Sequence, residues 1–595
     1  MLDCEGVARE TMSQLTPDPR VPFPLKAAFS RMKLSATTPN PLDALSGVRV
    51  EPGALQEFRP LTQCLEWQLS ELHWNRAGLL PFVESDVPFV INNTGRLSEH
   101  AAAVLFANCT ESDDGGPIRV LELGAGTGLF AKYFLDVFRS ICRQEHRDFY
   151  DRLLYLASDR SPRTVEQWNE RGQFEEHMTG EFPHVELGVC DALDPVQFRP
   201  LSGPPRQLSN LRGVFCNYIL DVLPATVLRN GDQGPEELQI RTHLTTDRQL
   251  LAQYTRLTVA QIRELAQAAT AAEKAQLIPL MSLLEFETAF VPLTALPAHA
   301  TEALAYGKGL DRVVLNHGAI QCLSACLELL CAAGFVLWND YGSVQRDQIA
   351  GHAATQRFGP TSALGLNFPY LEHHFATQGR CVVKAEGDER RSIHTRLLLA
   401  TPMPGSIAAF QNRFGLAGTD FFDEPLEDAR KHAAAGRKNE ALECYRTALS
   451  RSPRDWQVAG EIAEFVGLQL QDYRAGQDLA MAAVELNPWY SPWLWNILGD
   501  LLFLDGRVDD AHEAYLQAYR IHPGDPRTNL NLAYTYFEFG RHRDALEAVA
   551  VALAADVRGL YRQRLLEKQH QILGAISGRW LGEQERLARR AERML

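Results

Sequence analysis

The chain has 595 residues, too many for one hydrophobic core and enough for about three to four domains of ordinary size. A formal net charge of -15 and a sequence pI near 5.6, with no block of Lys or Arg ahead of the C-terminal tail, argue against nucleic-acid binding. Eleven scattered cysteines without C-x-x-C pairing exclude a disulfide framework or zinc ribbon and point to reduced thiols.

The opening Met1-Leu2-Asp3-Cys4-Glu5 has neither a basic nor an apolar leader region, and no run of about 18 apolar residues occurs, so a cytoplasmic protein without membrane contact is expected. Residues 1–50, rich in Pro, Thr and Ser, read as a loosely ordered entry segment. Residues 51–116 read as a helical cap. It holds an amphipathic helix over Leu61–Leu72, the stretch Trp74 to Gly78, a polar turn from Ile91 to Ser98, and a second helix over Glu99–Asn108. The Asn and Gly residues of the cap either shape turns or contact a ligand.

From Arg119 strands and helices alternate, as a parallel sheet with crossovers requires. The expected strands are Arg119–Leu123, Leu153–Ser158, Val185–Val189, Gly213–Ile219 and Gly334–Asp340, closed by Gly379–Val383 and Thr395–Ala400. The first runs into Glu122-Leu123-Gly124-Ala125-Gly126-Thr127-Gly128, with a helix from Leu129 to Phe138. Glycines belong where the chain turns sharply and backbone N–H groups must touch a ligand. The dinucleotide pattern G-x-G-x-x-G fails, because Leu129 stands where its third glycine is needed. The E-x-G-x-G-x-G form resembles motif I of class I S-adenosylmethionine (SAM) methyltransferases; a plain loop of a non-enzymatic α/β domain is the alternative.

Such enzymes hold their cofactor across successive strand ends, and this chain offers an acidic residue at each in turn: Glu122, Asp159, Asp191 and Asp221. Asp159 is the candidate for the ribose hydroxyls, Asp191 for the adenine amino group, with the small Ala192 under the ring. Asn217-Tyr218-Ile219-Leu220-Asp221 lines the point of transfer. After Pro224 a helical insertion over about 225–310, with helices at Thr258–Ala272 and Glu273–Glu285, is expected to roof the site and select the acceptor. Cys322, Cys326 and Cys331 are read as small core residues rather than a metal cluster, and the adjacent His373 and His374 are given no metal role. No metal is expected.

Asn217 to Pro224, Asp159-Arg160-Ser161-Pro162 and Asp340-Tyr341-Gly342 correspond to N-E-F-L-D-A-L-P, E-x-S-P and D-Y-G of the MidA-like SAM-dependent methyltransferases. Over residues 60–400 the chain resembles that family, which includes the mitochondrial complex I assembly arginine methyltransferase. The resemblance implies a Rossmann-like α/β domain over 117–405, with the helical insertion. It implies SAM held by Gly124, Gly126, Asp159 and Asp191, with Asn217 and Asp221 bordering the acceptor; by strand-end position Glu122, Ala125, Gly128, Ala192 and Asn217 complete the expected cofactor set, and Tyr218 joins Asp221 at the acceptor. Tyr218 replaces the family's Glu, so a guanidinium would meet one neutral hydroxyl in place of a second carboxylate.

Residues 406–424 read as a linker and 425–595 as an all-α solenoid. Pro453, Pro488 and Pro523 are spaced 35 apart; Gly436 and Gly506, Ala441 and Ala511, Tyr445 and Tyr515 recur after 70. Trp495-Asn496-Ile497-Leu498-Gly499 matches the W-x-x-L-G start of a tetratricopeptide repeat. About four repeats are expected to Asp556, followed by a capping helix, presenting a surface for a protein or peptide. Three functions fit: a methyltransferase acting on a protein side chain recruited by the repeats, a small-molecule methyltransferase, and a non-catalytic scaffold.

Overall fold

The computed structural model describes residues 54–83, 94–179, 182–415, 424–556 and 559–592, so the segment 1–50 and part of the turn at 91–98 lie outside it. The chain divides into two compact units, one within 28–421 and one within 422–595. Among the described residues no helix is long and apolar enough to cross a membrane.

The first unit is built on a nine-stranded sheet. Its strands are β1 (Ile118–Leu123), β2 (Leu153–Asp159), β3 (Val185–Asp191), β4 (Asp194–Pro200), β5 (Arg206–Gln207), β6 (Leu211–Asn217), β7 (Leu330–Asp340), β8 (Cys381–Lys384) and β9 (His394–Leu399). They lie in the order β8-β9-β7-β6-β1-β2-β3-β4-β5. The five from β7 to β3 are parallel, and both edges are antiparallel. The chain winds outward from β1 to one edge and returns at β6 on the other side. That reversal leaves a crevice beyond the C-terminal ends of β1 and β6, where open α/β sheets take ligands.

Every residue of β6 is buried, as a central strand covered on both faces must be. One cover is α3 (Leu129–Gln144), which follows α1 (Leu65–Ala77) and α2 (Arg96–Glu111) in the chain. Phe130, Phe134 and Phe138 share one face of α3 at a spacing of four, and the first two meet Phe215 of β6 with ring centroids 5.4 and 5.1 Å apart.

The insertion is not the helical interruption expected. Thr226–Gly231, Gly234–Leu244 and Leu284–Pro292 join Gln56–Pro60 and Val313–Leu315 in a second, antiparallel sheet. Its first hairpin closes through Asp232-Gln233 between Gly231 and Gly234, with Gly234 at φ +126°. Along the returning strand Leu238, Ile240, Thr242 and Leu244 are buried at alternate positions, a period of two rather than 3.6. The expected helix at 258–272 is shortened to Val259–Ala266 behind a Thr258/Gln261 capping box. The helix expected over 273–285 becomes Ala271–Lys274 and a 3-10 stretch holding Pro279, which cannot serve an α-helical interior, before Leu284 enters the sheet.

The second unit stacks four helix pairs: Glu424–Ala434 with Lys438–Arg451, Trp456–Glu464 with Tyr473–Leu486, Pro492–Leu504 with Val508–Ile521, and Pro526–Glu538 with His542–Ala555. The helix Arg562–Glu592 follows. Ala441, Ala511 and Ala545 are fully buried where helices press together, and a Cβ on Gly499 would sit 2.4 Å from Tyr515 Cε1. Gly436, Gly506 and Gly540 turn each pair in the left-handed region; Gln471, at φ +61°, holds that place in the second pair.

Candidate active site

The loop after β1 takes its shape from three left-handed glycines, Gly124, Gly126 and Gly128, at φ +62°, +53° and +69°. Added Cβ atoms would meet Ile219 Cγ2 at 2.4 Å, Phe82 Cζ at 2.9 Å and Gln173 Nε2 at 2.7 Å. Trp168 Nε1 donates to the Gly126 carbonyl (2.9 Å) and Gln173 Nε2 to the Thr127 carbonyl (2.7 Å), which anchors the loop's carbonyls from outside. Asp159 accepts the Gly126 N–H at 3.2 Å and the Ser161 N–H at 2.9 Å. Burial pushes its carboxyl up to about 6, against the pull of those N–H groups.

At the crevice a cleft of about 110 Å³ is walled by Glu122, Gly124, Ala125, Gly126, Asn217, Tyr218 and Asp221. Seven residues singled out in the sequence therefore meet in one place. Gly128 starts α3 away from this wall, and Asp159 reaches it only through Gly126. Asp191 and Ala192 lie beyond the cleft at the end of β3, where Asp191 is 43% exposed and sits 3.6 Å from Arg160. A larger depression, about 710 Å³, lies at the N-terminal ends of β1 to β3 beside Pro117, Asp151 and Leu201 and contains none of these groups.

A hydrogen-bonded line crosses five neighbouring strands beneath the cleft. Thr395 Oγ1 donates to Asn339 Oδ1 (2.5 Å), Asn339 Nδ2 to Asn217 Oδ1 (2.7 Å), and Asn217 Nδ2 to Glu122 Oε1 (3.1 Å). The Tyr155 hydroxyl meets Glu122 Oε2 at 2.9 Å. Glu122 is 1% exposed, and burial pushes its carboxyl up to about 8 although both partners pull it down. Glu122 is thus a buried post under the loop.

The acceptor side is organised by Asp340. Its Oδ2 accepts the N–H groups of Leu220 (3.1 Å) and Asp221 (3.2 Å), and its Oδ1 that of Tyr341 (2.9 Å). Tyr218 adopts φ +54° and donates its N–H to the Asn339 carbonyl at 2.9 Å. This strained backbone for a bulky residue turns the chain sharply at the end of β6. Burial raises Asp221 to about 6, and burial beside the Asp221 carboxyl also raises Asp340 well above the usual carboxylate range. Asp221 Oδ1 and the Tyr341 hydroxyl are both buried, and the hydroxyl beside Asp221 lowers its carboxyl against the upward push of burial.

The other walls were not singled out as site residues. Trp74 at the end of α1 and Phe82 stand over the glycine loop with ring centroids 5.7 Å apart; Phe358 packs edge-on to Tyr341 at 6.0 Å. The roof expected from the insertion comes instead from the hairpin Gln356–Phe358 and Thr361–Ala363, because the insertion satisfies its apolar side chains within its own sheet and against Leu65 and Leu69 of α1. The hairpin is pinned by Arg357 to Glu66 (2.6 Å) and by the Ser362 N–H to Ser70 Oγ (3.0 Å). Its only sequence signal was the turn dipeptide Gly359-Pro360. Cys322 and Cys326 face the apolar core with Cys216, while Cys331 lies outside that group and is partly exposed.

Residues 101–361 match a family model described as "Putative S-adenosyl-L-methionine-dependent methyltransferase", and residues 502–568 a tetratricopeptide repeat model. Residues 101–361 are a SAM-dependent methyltransferase domain. A Burkholderia thailandensis protein of known structure, bound to S-adenosyl-homocysteine, is 14% identical, covering 63% of this chain and 98% of its own, with a TM-score of 0.34. A thermophilic tetratricopeptide repeat protein of Thermus thermophilus is 27% identical over 24% of this chain and 77% of its own, with a TM-score of 0.21. The BBSome complex member BBS4 of Xenopus tropicalis is 30% identical over 106 residues, 18% of this chain, and the chain spans about a fifth (20%) of that relative's length.

SAM suits the groups present. Three glycines leave room where Cβ atoms would stand, and aromatic faces beside the loop suit a sulfonium cation. The cleft, at about 110 Å³, is smaller than the roughly 300 to 1,000 Å³ usual for small-molecule sites, and the Phe82 ring occupies the space beside Gly126.

Proposed function

We propose that this protein methylates a nitrogen on a protein side chain, arginine-like in character, which the repeats recruit. The observation that carries the reading is the Asp221 carboxylate, buried beside the Tyr341 hydroxyl in the wall of the cleft that the glycine loop closes. The bound cofactor supplies an electrophilic methyl group on a sulfonium sulfur. Gly124, Ala125 and Gly126 hold it at the loop with Asp159 behind them, and Gly128 sets the start of α3. Asp191 and Ala192 receive its far end beyond the cleft, and Glu122 and Asn217 support the loop from below.

Asp221 accepts the N–H of the incoming nitrogen, orients its lone pair, and takes the proton that becomes acidic on transfer. Asp340 keeps that carboxylate in place through the backbone of residues 220 and 221. Among the described residues the lining carries the Asp221 carboxylate and no Lys, Arg or His, which favours a cationic or amine acceptor. Tyr218 and Tyr341 add hydroxyls where a second carboxylate would otherwise clamp a guanidinium. The stacked helix pairs supply the extended surface on which such folds dock polypeptides.

The test is Asp221→Asn in the full chain, assayed by transfer of labelled methyl to proteins of a cell extract. Transfer should fall by about 100-fold or more, while SAM affinity measured by calorimetry stays within about threefold. Loss of SAM binding would move Asp221 to the cofactor, unchanged transfer would remove it from the reaction, and label confined to small molecules would favour a small acceptor.

A further inference from the structure

Away from the cleft, the helices Ala300–Tyr306 and Phe368–Thr377 bring together His299, Glu302 and His374. One potential ligand atom from each lies within 4.8 Å of the other two. His374 is 2% exposed, and its Nδ1 is 2.9 Å from one Glu302 oxygen and 3.1 Å from the other. The exposed His299 stands edge-on to the His374 ring, centroids 4.8 Å apart. We propose that these three side chains form a binding site for a Zn²⁺ ion.

The donor set is what the chemistry requires. Two imidazoles and one carboxylate suit a borderline cation, and bonds of about 2.0–2.2 Å would draw the three atoms together and leave a fourth, solvent-facing position for water. The outer groups are also in place. Gln378 Nε2 lies 2.8 Å from His374 Nε2, so the ring is held from behind. With the metal on Nδ1, the ring proton moves to Nε2 and the Gln378 amide turns its oxygen to accept it. The Tyr370 hydroxyl donates to the His299 carbonyl at 3.3 Å, bracing a residue whose φ of +64° is left-handed and not that of a glycine.

None of the three lines the cleft, so the ion would act on stability. It would clip the end of the insertion to the helix that precedes β8. The adjacency of His373 and His374 hid the site in the sequence, since the partner of His374 is a residue 75 positions earlier and not its neighbour.

The experiment uses the full, metal-stripped chain titrated with Co²⁺ and then Zn²⁺. The expected result is one equivalent of Co²⁺ with tetrahedral or five-coordinate d–d absorption, no thiolate-to-cobalt charge transfer, displacement by Zn²⁺, and a melting temperature that rises with Zn²⁺. His299→Ala, at an exposed position, should abolish the absorption and the Zn²⁺-dependent rise while leaving the metal-free melting temperature close to wild type. Glu302→Gln should weaken binding by about tenfold or more. The proposal is overturned if the folded wild type takes up no Co²⁺ or Zn²⁺ at submillimolar concentration, if His299→Ala binds as the wild type does, or if a thiolate band shows that cysteines hold the metal.

Discussion

Replacing Glu122 with Gln tests the buried line of hydrogen bonds directly. Gln can keep the contact with Asn217 through its Oε1, while its Nε2 reverses the bond to Tyr155, whose hydroxyl donates to Glu122, so the variant removes the ionisable proton at the cost of one reversed hydrogen bond. The Glu122 carboxyl is raised from 4.5 to about 8 by burial. Below the lower value the folded and unfolded chains both hold the proton. Between the two values the unfolded chain releases it and the folded chain keeps it, so stability falls as pH rises, until the folded carboxyl also ionises. One pKa unit is about 1.4 kcal/mol, which makes the full window about 5 kcal/mol as an upper bound and the span from pH 6 to 8 about 2 to 3 kcal/mol. Hydrogen exchange of the peptide spanning β1 in the intact chain, corrected for intrinsic rates, reads this locally. The variant should match or slightly trail the wild type near pH 5 and exceed it at pH 8. Asp159 and Asp221 titrate in both proteins, so the difference isolates Glu122. Parallel curves across this range would refute the neutral, buried carboxyl.

Three further outcomes follow from the same geometry. Asp221, raised to about 6 by burial, must be ionised to accept a proton, so methyl transfer should rise with pH through about 6 and level off above it, and a rate that falls across that range would contradict its role. Gln471→Gly should stabilise the repeat unit by about 1 kcal/mol by relieving a left-handed residue, seen as slower hydrogen exchange in Tyr473–Leu486; no change or faster exchange would contradict the strain. Gly499→Val should destabilise the Pro492–Leu504 and Val508–Ile521 pair by about 2 kcal/mol or more, because Tyr515 fills the space a Cβ needs, and exchange there should quicken while β1 stays unchanged.

What could be read from the sequence was governed by local rules. Gly124, Gly126 and Gly128 stand where the backbone needs positive φ, and a residue at the end of a parallel strand faces the crevice whatever its partners are, which is why Asn217, Tyr218 and Asp221 were found. The line from Thr395 to Glu122 was not legible, because a period of two tells which way a side chain points but not which strand lies beside it. Trp74, Phe82 and Phe358 come from outside the strand ends and reach the cleft through tertiary packing alone. In the insertion, apolar residues around 273–285 suggested a helix, but Pro279 and the pairing of Leu284–Pro292 with the preceding hairpin overrode propensity. In the repeats, Gln471 where glycine recurs, together with a π-helical turn at Phe465–Gln469, explains why the period showed most clearly at 70 residues rather than 35.

The central claim is that the crevice beyond β1 and β6 binds SAM through the glycine loop. Calorimetric titration of SAM into the wild type and into Gly126→Arg tests it most directly, since a side chain at that position meets Phe82 and blocks the loop. Binding of one equivalent to the wild type, lost in a variant that remains folded, is the predicted result; no binding to the folded wild type, or equal binding by both, would contradict it.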